Sequence, residues 1–133
     1  MKILITGGSG FIGGCLVRKL IYDERFSIFN IDKYGYASDH TGIENILKEK
    51  KNVNYSFFKL NLSERNKLDD LVNSIEPDII MHLAAESHVD RSIQSPRDFI
   101  ESNIVGTFNL LEATRNYLRN RKQNADKRFI FHH

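Results

Sequence analysis

Apolar and polar positions along this chain switch repeatedly between a period near two and a period near 3.6. Residues 2–6 form a short β-rich run. Residues 11–22 place Ile12, Leu16, Val17, Leu20 and Ile21 on one helical face. Residues 27–32 carry a second strand, Ile28-Phe29-Asn30-Ile31, and residues 41–51 a polar helix or loop ending in four charged residues. Residues 54–60 predict a third strand. Ser63 is placed to cap a helix whose stripe is Leu68, Leu71, Val72 and Ile75, and Pro77 ends that helix. Residues 78–83 hold the continuous apolar run Ile79-Ile80-Met81, the pattern of a strand buried on both faces. Ser95-Pro96 opens a long helix reaching residue 121, because serine caps and proline suits a first helical turn. Ile100, Ile104, Leu111 and Leu118 lie near one stripe of it. Arg115, Arg119, Arg121 and Lys122 crowd its C-terminal part, where cations complement the helix dipole. Residues 128–132 predict a fifth strand.

Strands alternating with helices imply parallel strands joined by right-handed crossovers. The fold class expected is α/β: a doubly wound parallel sheet of order 3-2-1-4-5, one domain over residues 1–133. Ligands of such sheets sit beyond the C-terminal ends of the strands where the winding reverses, here strands 1 and 4.

Composition narrows the class. A chain of 133 residues suits a single domain, and 41% hydrophobic with 27% charged residues excludes wholesale disorder. A formal charge of +2 argues for neither nucleic acid nor a membrane surface as partner. One cysteine forms no internal disulfide, which suits a reducing cytoplasm, the expected location. No apolar run reaches a membrane span, and residues 1–6 are too short before the first glycines to read as a signal peptide. Cys15 reads as a small buried residue beside the glycines, and the five histidines show no metal-ligand spacing.

The chemistry concentrates in two places. Gly7-Gly8-Ser9-Gly10-Phe11-Ile12-Gly13 directly follows the first strand and opens the first helix. Gly7 allows the tight turn, Gly10 lets the backbone approach a pyrophosphate, and Gly13 lets the helix pack closely on the sheet. The helix N-terminus then offers N–H groups to the phosphates. Asp32 ends the second strand 19 residues after Gly13, close to the spacing at which a dinucleotide fold places an acid on the ribose hydroxyls. A carboxylate there repels a 2′-phosphate, which favours NAD over NADP. The second place is residues 82–92, where a buried strand runs into Ala84-Ala85 and then a cluster of Glu86, Ser87, His88, Asp90 and Arg91. The two alanines are small enough for a ribose or nicotinamide to lie against the backbone.

Gly7 to Gly13, Asp32-Lys33, the run HLAAESHVDRSI at 82–93 and FIESNIVGT at 99–107 together resemble the N-terminal half of the dTDP-glucose 4,6-dehydratases, which are extended short-chain dehydrogenases/reductases. The glycine loop is common to that superfamily; HLAAESHVDRSI is much narrower. The resemblance covers essentially the whole chain, with a variable patch near 38–60. It implies a Rossmann-type domain binding NAD. Phe11, Ile12, Asp32, Lys33, Tyr34 and Gly35 would line the adenosine half, and Leu83, Ala84, Ala85, Glu86 and Ser87 the ribose and nicotinamide side. Ser87 would also touch the nucleotide sugar. Ser102 stands where the family usually has threonine near the cofactor. Asn61-Leu62 replaces the family's Asp-Ile at the adenine, so a weaker adenine contact is expected. Tyr34-Gly35 replaces Leu-Thr.

The resemblance also implies NAD-dependent dehydration of dTDP-glucose to a 4-keto-6-deoxy sugar, for deoxysugar and cell-surface polysaccharide synthesis. The catalytic Tyr-x-x-x-Lys and Asp-Glu pairs follow the fifth strand in the family, so no catalytic residue is assigned here, the sugar-nucleotide-binding region is expected to be absent, and the chain alone is expected to lack turnover. Tyr55-x-x-x-Lys59 is not that pair, because on a strand at about 3.3 Å per residue its members stand roughly 13 Å apart. Helix 96–121 would expose an apolar face that in the family packs in a homodimer. Three other readings stand beside this one: another nucleotide-sugar epimerase or decarboxylase of the same superfamily, a non-catalytic NAD-binding module, and nucleic-acid binding through the basic stretch 115–128.

Overall fold

A computed structural model of the chain describes residues 1–50, 52–121 and 128–133. Lys51, the last of the four charged residues that end the segment 41–51, and Lys122 lie outside the described residues.

Five strands form one parallel sheet: β1 (Lys2–Thr6), β2 (Ser27–Asp32), β3 (Tyr55–Lys59), β4 (Ile79–His82) and β5 (Ile130–His132), in the order β3-β2-β1-β4-β5. This is the expected order. β1 lies at the centre, with Ile3 opposite Ile28 on one side and Ile79 on the other. β5 pairs with β4 and is the last strand of the sheet. Between the strands come α1 (Phe11–Leu20), α2 (Thr41–Glu49), α3 (Arg65–Ile75) and α4 (Val89–Gln94). A longer helical run follows as α5 (Pro96–Phe99), a π-helical stretch Ile100–Gly106 and α6 (Thr107–Asn120).

The chain divides into two compact units. The first holds Met1–Lys59, Pro77–Ala84 and Arg128–His133, that is, the whole sheet with α1 and α2. Its core is Ile3, Ile5, Val17, Ile21, Ile28, Ile43 and Ile46, bordered by Leu16, Leu20, Ile79 and Met81. The polar segment is thus a helix over Thr41–Glu49, anchored by two buried isoleucines, Ile43 and Ile46. The second unit holds Leu60–Glu76 and the described part of Ala85–Lys127. There α3 packs on α6, burying Leu68, Val72, Leu110 and Ala113 completely. Asn109 ties α6 to the start of that unit by donating from Nδ2 to the Leu62 carbonyl at 2.9 Å.

The structure corrects several sequence expectations. Ile12 leaves the predicted stripe and is 71% exposed, because it sits in the first turn of α1 beside the glycine loop. Cys15 is exposed, not buried: Gly13, Gly14 and Val17 take the inward positions of α1 and leave residue 15 on the other face. Ser63 does not cap α3, whose first residue is Arg65. The turn is instead closed by Asn61, whose Oδ1 accepts from Ser63 N–H and whose own N–H donates to Glu64 Oε1. Ser95 precedes α5 without a side-chain cap. β4 is fully buried only at Ile80 and His82 of its four positions, with Ile79 and Met81 half-buried. Helix α4 forms after the two alanines, where the sequence pattern predicts no helix. At the other end of α3, Glu76 adopts a left-handed φ of 53° and Pro77 follows, as the helix stop requires.

Candidate functional site

The sequence places three glycines after β1, and the geometry gives each a different duty. Gly7 has φ +72°, and a Cβ there would lie 2.6 Å from Ala84 N and 2.7 Å from Ala84 Cα. The loop therefore touches the backbone that leaves β4, and only glycine permits it. A Cβ on Gly13 would lie 2.8 Å from Gly7 C and closer still to Gly7 O. The close packing that Gly13 allows is thus against the loop itself rather than against the sheet. Gly10 is different: its Cβ would meet only Gly7 O, at 3.3 Å. Among the described residues this single tight contact is all that an added Cβ at 10 would meet. Gly10 is also the N-terminal boundary of α1, and no side chain caps that end. An uncapped N-terminus with its aligned dipole is the arrangement that holds a phosphate. Phe11 and Ile12 follow at 94% and 71% exposed, large apolar side chains on open surface at the same end. Gly8, not singled out in the sequence, is also constrained, since its Cβ would collide with the side chain of the fully buried Asn30.

Asp32 closes β2 at the same sheet end and is 8% exposed. Its Oδ2 accepts from Ser9 N–H at 3.0 Å; its Oδ1 accepts from Tyr34 N–H at 2.8 Å and from the Ser38 hydroxyl at 3.1 Å. The carboxylate is therefore oriented before any ligand arrives, with part of its acceptor capacity left over. Tyr34 has φ 57°, a left-handed conformation supported by that bond to Asp32. Lys33 and Gly35 are exposed, and a Cβ at Gly35 would make only ordinary contact.

The end of β4 completes this unit. Ala84 N–H donates to Thr6 Oγ1 at 3.3 Å, and Leu83 N–H to the Thr6 carbonyl at 3.1 Å. Thr6 Oγ1 also lies 2.6 Å from His82 Nδ1. Which of the two donates in that contact is set by the tautomer of the His82 ring. Burial, with the nearby His133 adding to it, lowers the His82 pKa from 6.5 to about 4. Sequence reading missed Thr6; a hydroxyl at the last position of a buried strand was the available signal.

In the second unit, Asn103 pairs with the backbone of residue 86 in both directions. Glu86 N–H donates to Asn103 Oδ1 at 2.8 Å, and Asn103 Nδ2 donates to the Glu86 carbonyl at 2.9 Å. This replaces the backbone partners that an irregular segment lacks and fixes Ala85, Glu86 and Ser87. Ser87 is exposed, Ala85 is exposed and Glu86 is buried. Ser102, beside Asn103, is half-buried in the π-helical stretch, a local widening that recurs at functional sites. Asn103 was also missed, although an amide inside a helical pattern signals a side chain with a specific partner. Asn61 has its carbonyl engaged in the turn before α3, and Leu62 is 6% exposed.

The Tyr55-x-x-x-Lys59 spacing falls on β3 as expected. Tyr55 OH accepts from Asn30 Nδ2 at 3.1 Å, and burial raises its pKa. Among the described residues, no group of three or more His, Cys, Asp or Glu side chains is placed to hold a metal, and no helix is long and apolar enough to cross a membrane.

Comparison with known proteins agrees with this geometry. Residues 4–133 match the family model described as GDP-mannose 4,6 dehydratase. The chain is 46% identical over 132 residues to the dTDP-glucose 4,6-dehydratase of Neisseria meningitidis serogroup B, covering 99% of this chain and 36% of that protein. The chain thus spans about a third of the length of such relatives. Among solved structures, DesIV of Streptomyces venezuelae, a dTDP-glucose 4,6-dehydratase with NAD bound, matches with a TM-score of 0.75 at 31% identity, over 88% of this chain and 36% of that one. The UDP-Glc/GlcNAc 4-epimerase of Campylobacter jejuni matches with a TM-score of 0.76 at 29% identity, over 87% of this chain and 34% of that one. With the match running from residue 4 to residue 133 and the fold and glycine loop in accord, the chain belongs to the GDP-mannose 4,6-dehydratase family.

Proposed function

We propose that this chain is the NAD-binding part of a nucleotide-sugar 4,6-dehydratase whose substrate is dTDP-glucose. The glycine loop carries the cofactor reading. Gly10 is the least confined of the three glycines, its added Cβ meeting only Gly7 O at 3.3 Å, at an uncapped helix start, with an oriented carboxylate at the end of the next strand. In this reading Gly7, Gly10 and Gly13 shape the loop for the pyrophosphate, and Phe11 and Ile12 line the adenosine half. Asp32 takes the ribose hydroxyls, and Lys33, Tyr34 and Gly35 border the adenosine. Leu83 and Ala84 are assigned to the ribose and nicotinamide, as are Ala85, Glu86, Ser87 and Ser102, with Ser87 also reaching the sugar nucleotide. Asn61 and Leu62 keep a weaker adenine role, since the Asn61 carbonyl is already engaged. NAD, when bound, supplies the hydride acceptor. The residues of this chain orient it and, through Asp32, exclude the 2′-phosphate of NADP by charge repulsion. The run HLAAESHVDRSI and the 46% identity to a dTDP-glucose 4,6-dehydratase favour dehydratase over epimerase. Ile100, Ile104, Phe108 and Leu111, all about half exposed, suit a homodimer contact.

Calorimetric titration of the chain with NAD and NADP tests this. Binding of NAD and none of NADP is expected; binding of both equally would remove the role of Asp32, and binding of neither would remove the cofactor reading. Incubation with dTDP-glucose and NAD is expected to give no 4-keto product from this chain alone, because the described residues hold no Tyr-x-x-x-Lys pair on a helix.

A further inference from the structure

We infer that His40 is a positioning residue for the adenosine side of the cofactor site, latching the segment after β2 onto the glycine loop through Ser9; this rests on the NAD reading above. Ser9 is 1% exposed, and each of its polar groups goes to that segment or to the strand leading into it. Its Oγ lies 2.5 Å from His40 Nε2, its carbonyl accepts from Asp39 N–H at 2.8 Å, and its N–H donates to Asp32 Oδ2 at 3.0 Å. The latch is stiffened from behind. The His40 carbonyl accepts from Ile43 and Glu44 N–H, both at 2.9 Å, so the residue is rooted in the start of α2. Its ring stands edge-on to Phe57, with centroids 4.3 Å apart, and 5.1 Å from the ring of Tyr34. Tyr34 is in turn edge-on to Phe57 at 6.0 Å and has Lys59 Nζ 5.9 Å from its ring centre.

One histidine therefore links the loop proposed for the pyrophosphate, the carboxylate proposed for the ribose and the half-exposed tyrosine proposed to border the adenosine. A dinucleotide must meet all three at fixed separations. Holding them together beforehand removes the ordering cost from the binding step, and releasing the latch lowers the fraction of molecules ready to bind.

The test uses the full chain with NAD and with ADP as the adenosine-side probe. His40→Ala and Ser9→Ala are each expected to weaken both ligands about fivefold, the worth of one hydrogen bond. The double variant should be no weaker than either single one, since both remove the same link. His40→Gln, which keeps a hydrogen-bonding group within reach of Ser9, should recover most of the affinity. Amide exchange at Asp39, read without ligand, should quicken in both alanine variants. Unchanged affinity in His40→Ala, or losses that add in the double variant, would overturn the proposal. If the parent chain binds neither NAD nor ADP, the cofactor reading fails, and the Asp39 exchange still decides whether the latch exists.

Discussion

At the scale of single residues, the glycines after β1 separate folding from binding. Gly7→Ala sets a Cβ against the Ala84 backbone at a positive φ, and Gly13→Ala drives one into Gly7. Each is expected to cost about 2–4 kcal/mol, seen as a lowered urea midpoint. Gly10→Ala meets only Gly7 O at 3.3 Å, so its midpoint should move by less than about 1 kcal/mol while NAD affinity collapses. A Gly10→Ala chain that unfolds as readily as Gly7→Ala would show that all three glycines serve packing alone. His82 makes a second prediction. Its folded pKa is about 4 against 6.5 for a free histidine, so below pH 6.5 the unfolded chain takes up a proton that the native protein refuses. The stability held by neutral His82 is full above pH 6.5 and is lost as the pH falls toward 4, by up to about 3 kcal/mol. Urea midpoints at pH 7, 5.5 and 4.5 check this: His82→Gln should flatten the decline, and a parallel decline in both proteins would assign it to other groups.

At the scale of elements, the decisive pieces are irregular ones held by side chains. The segment 85–87 has a single amide, Asn103, pairing with both the N–H and the C=O of Glu86. Asn103→Ala strands both groups and is expected to cost about 1–3 kcal/mol and to quicken amide exchange at Glu86. Asn103→Asp keeps the acceptor for Glu86 N–H but has no donor for the carbonyl, so its exchange should stay nearer the parent; equal effects from both variants would contradict the paired geometry. These pieces were only partly legible beforehand. Periodicity found α1 and α3 because each buries a stripe; it found the long helical run through Ile100, Ile104, Leu111 and Leu118, a stripe that lies exposed, and α2 as an ambiguous polar segment because only Ile43 and Ile46 point inward. It found neither α4, which buries no residue, nor the π-helical stretch, whose winding leaves no mark in a 3.6-residue pattern.

At the scale of the molecule, the exposed apolar residues of the long helical run make the remaining prediction. Ile104 at 59% and Phe108 at 54% exposure sit with Ile100 and Leu111 on open surface. A second copy of the chain is the proposed cover. Sedimentation should show concentration-dependent association that Ile104→Glu combined with Phe108→Glu abolishes, and a monomer at every concentration would refute it.

The sequence by itself determined the class of fold, the strand order, the glycine loop and Asp32. These follow from local rules: a period of two or 3.6, a crossover of fixed hand, and backbone conformations that only glycine reaches. Tertiary structure decided how those parts are held. That Gly13 packs on the loop, that Cys15 faces outward, that Asn61 closes a turn, and that Ser9, Asp32 and His40 form one hydrogen-bonded group could not be read from spacing. Each depends on which side chains from distant positions arrive within about 3 Å of one another, and a hydrogen bond is specified by that arrival rather than by residue type.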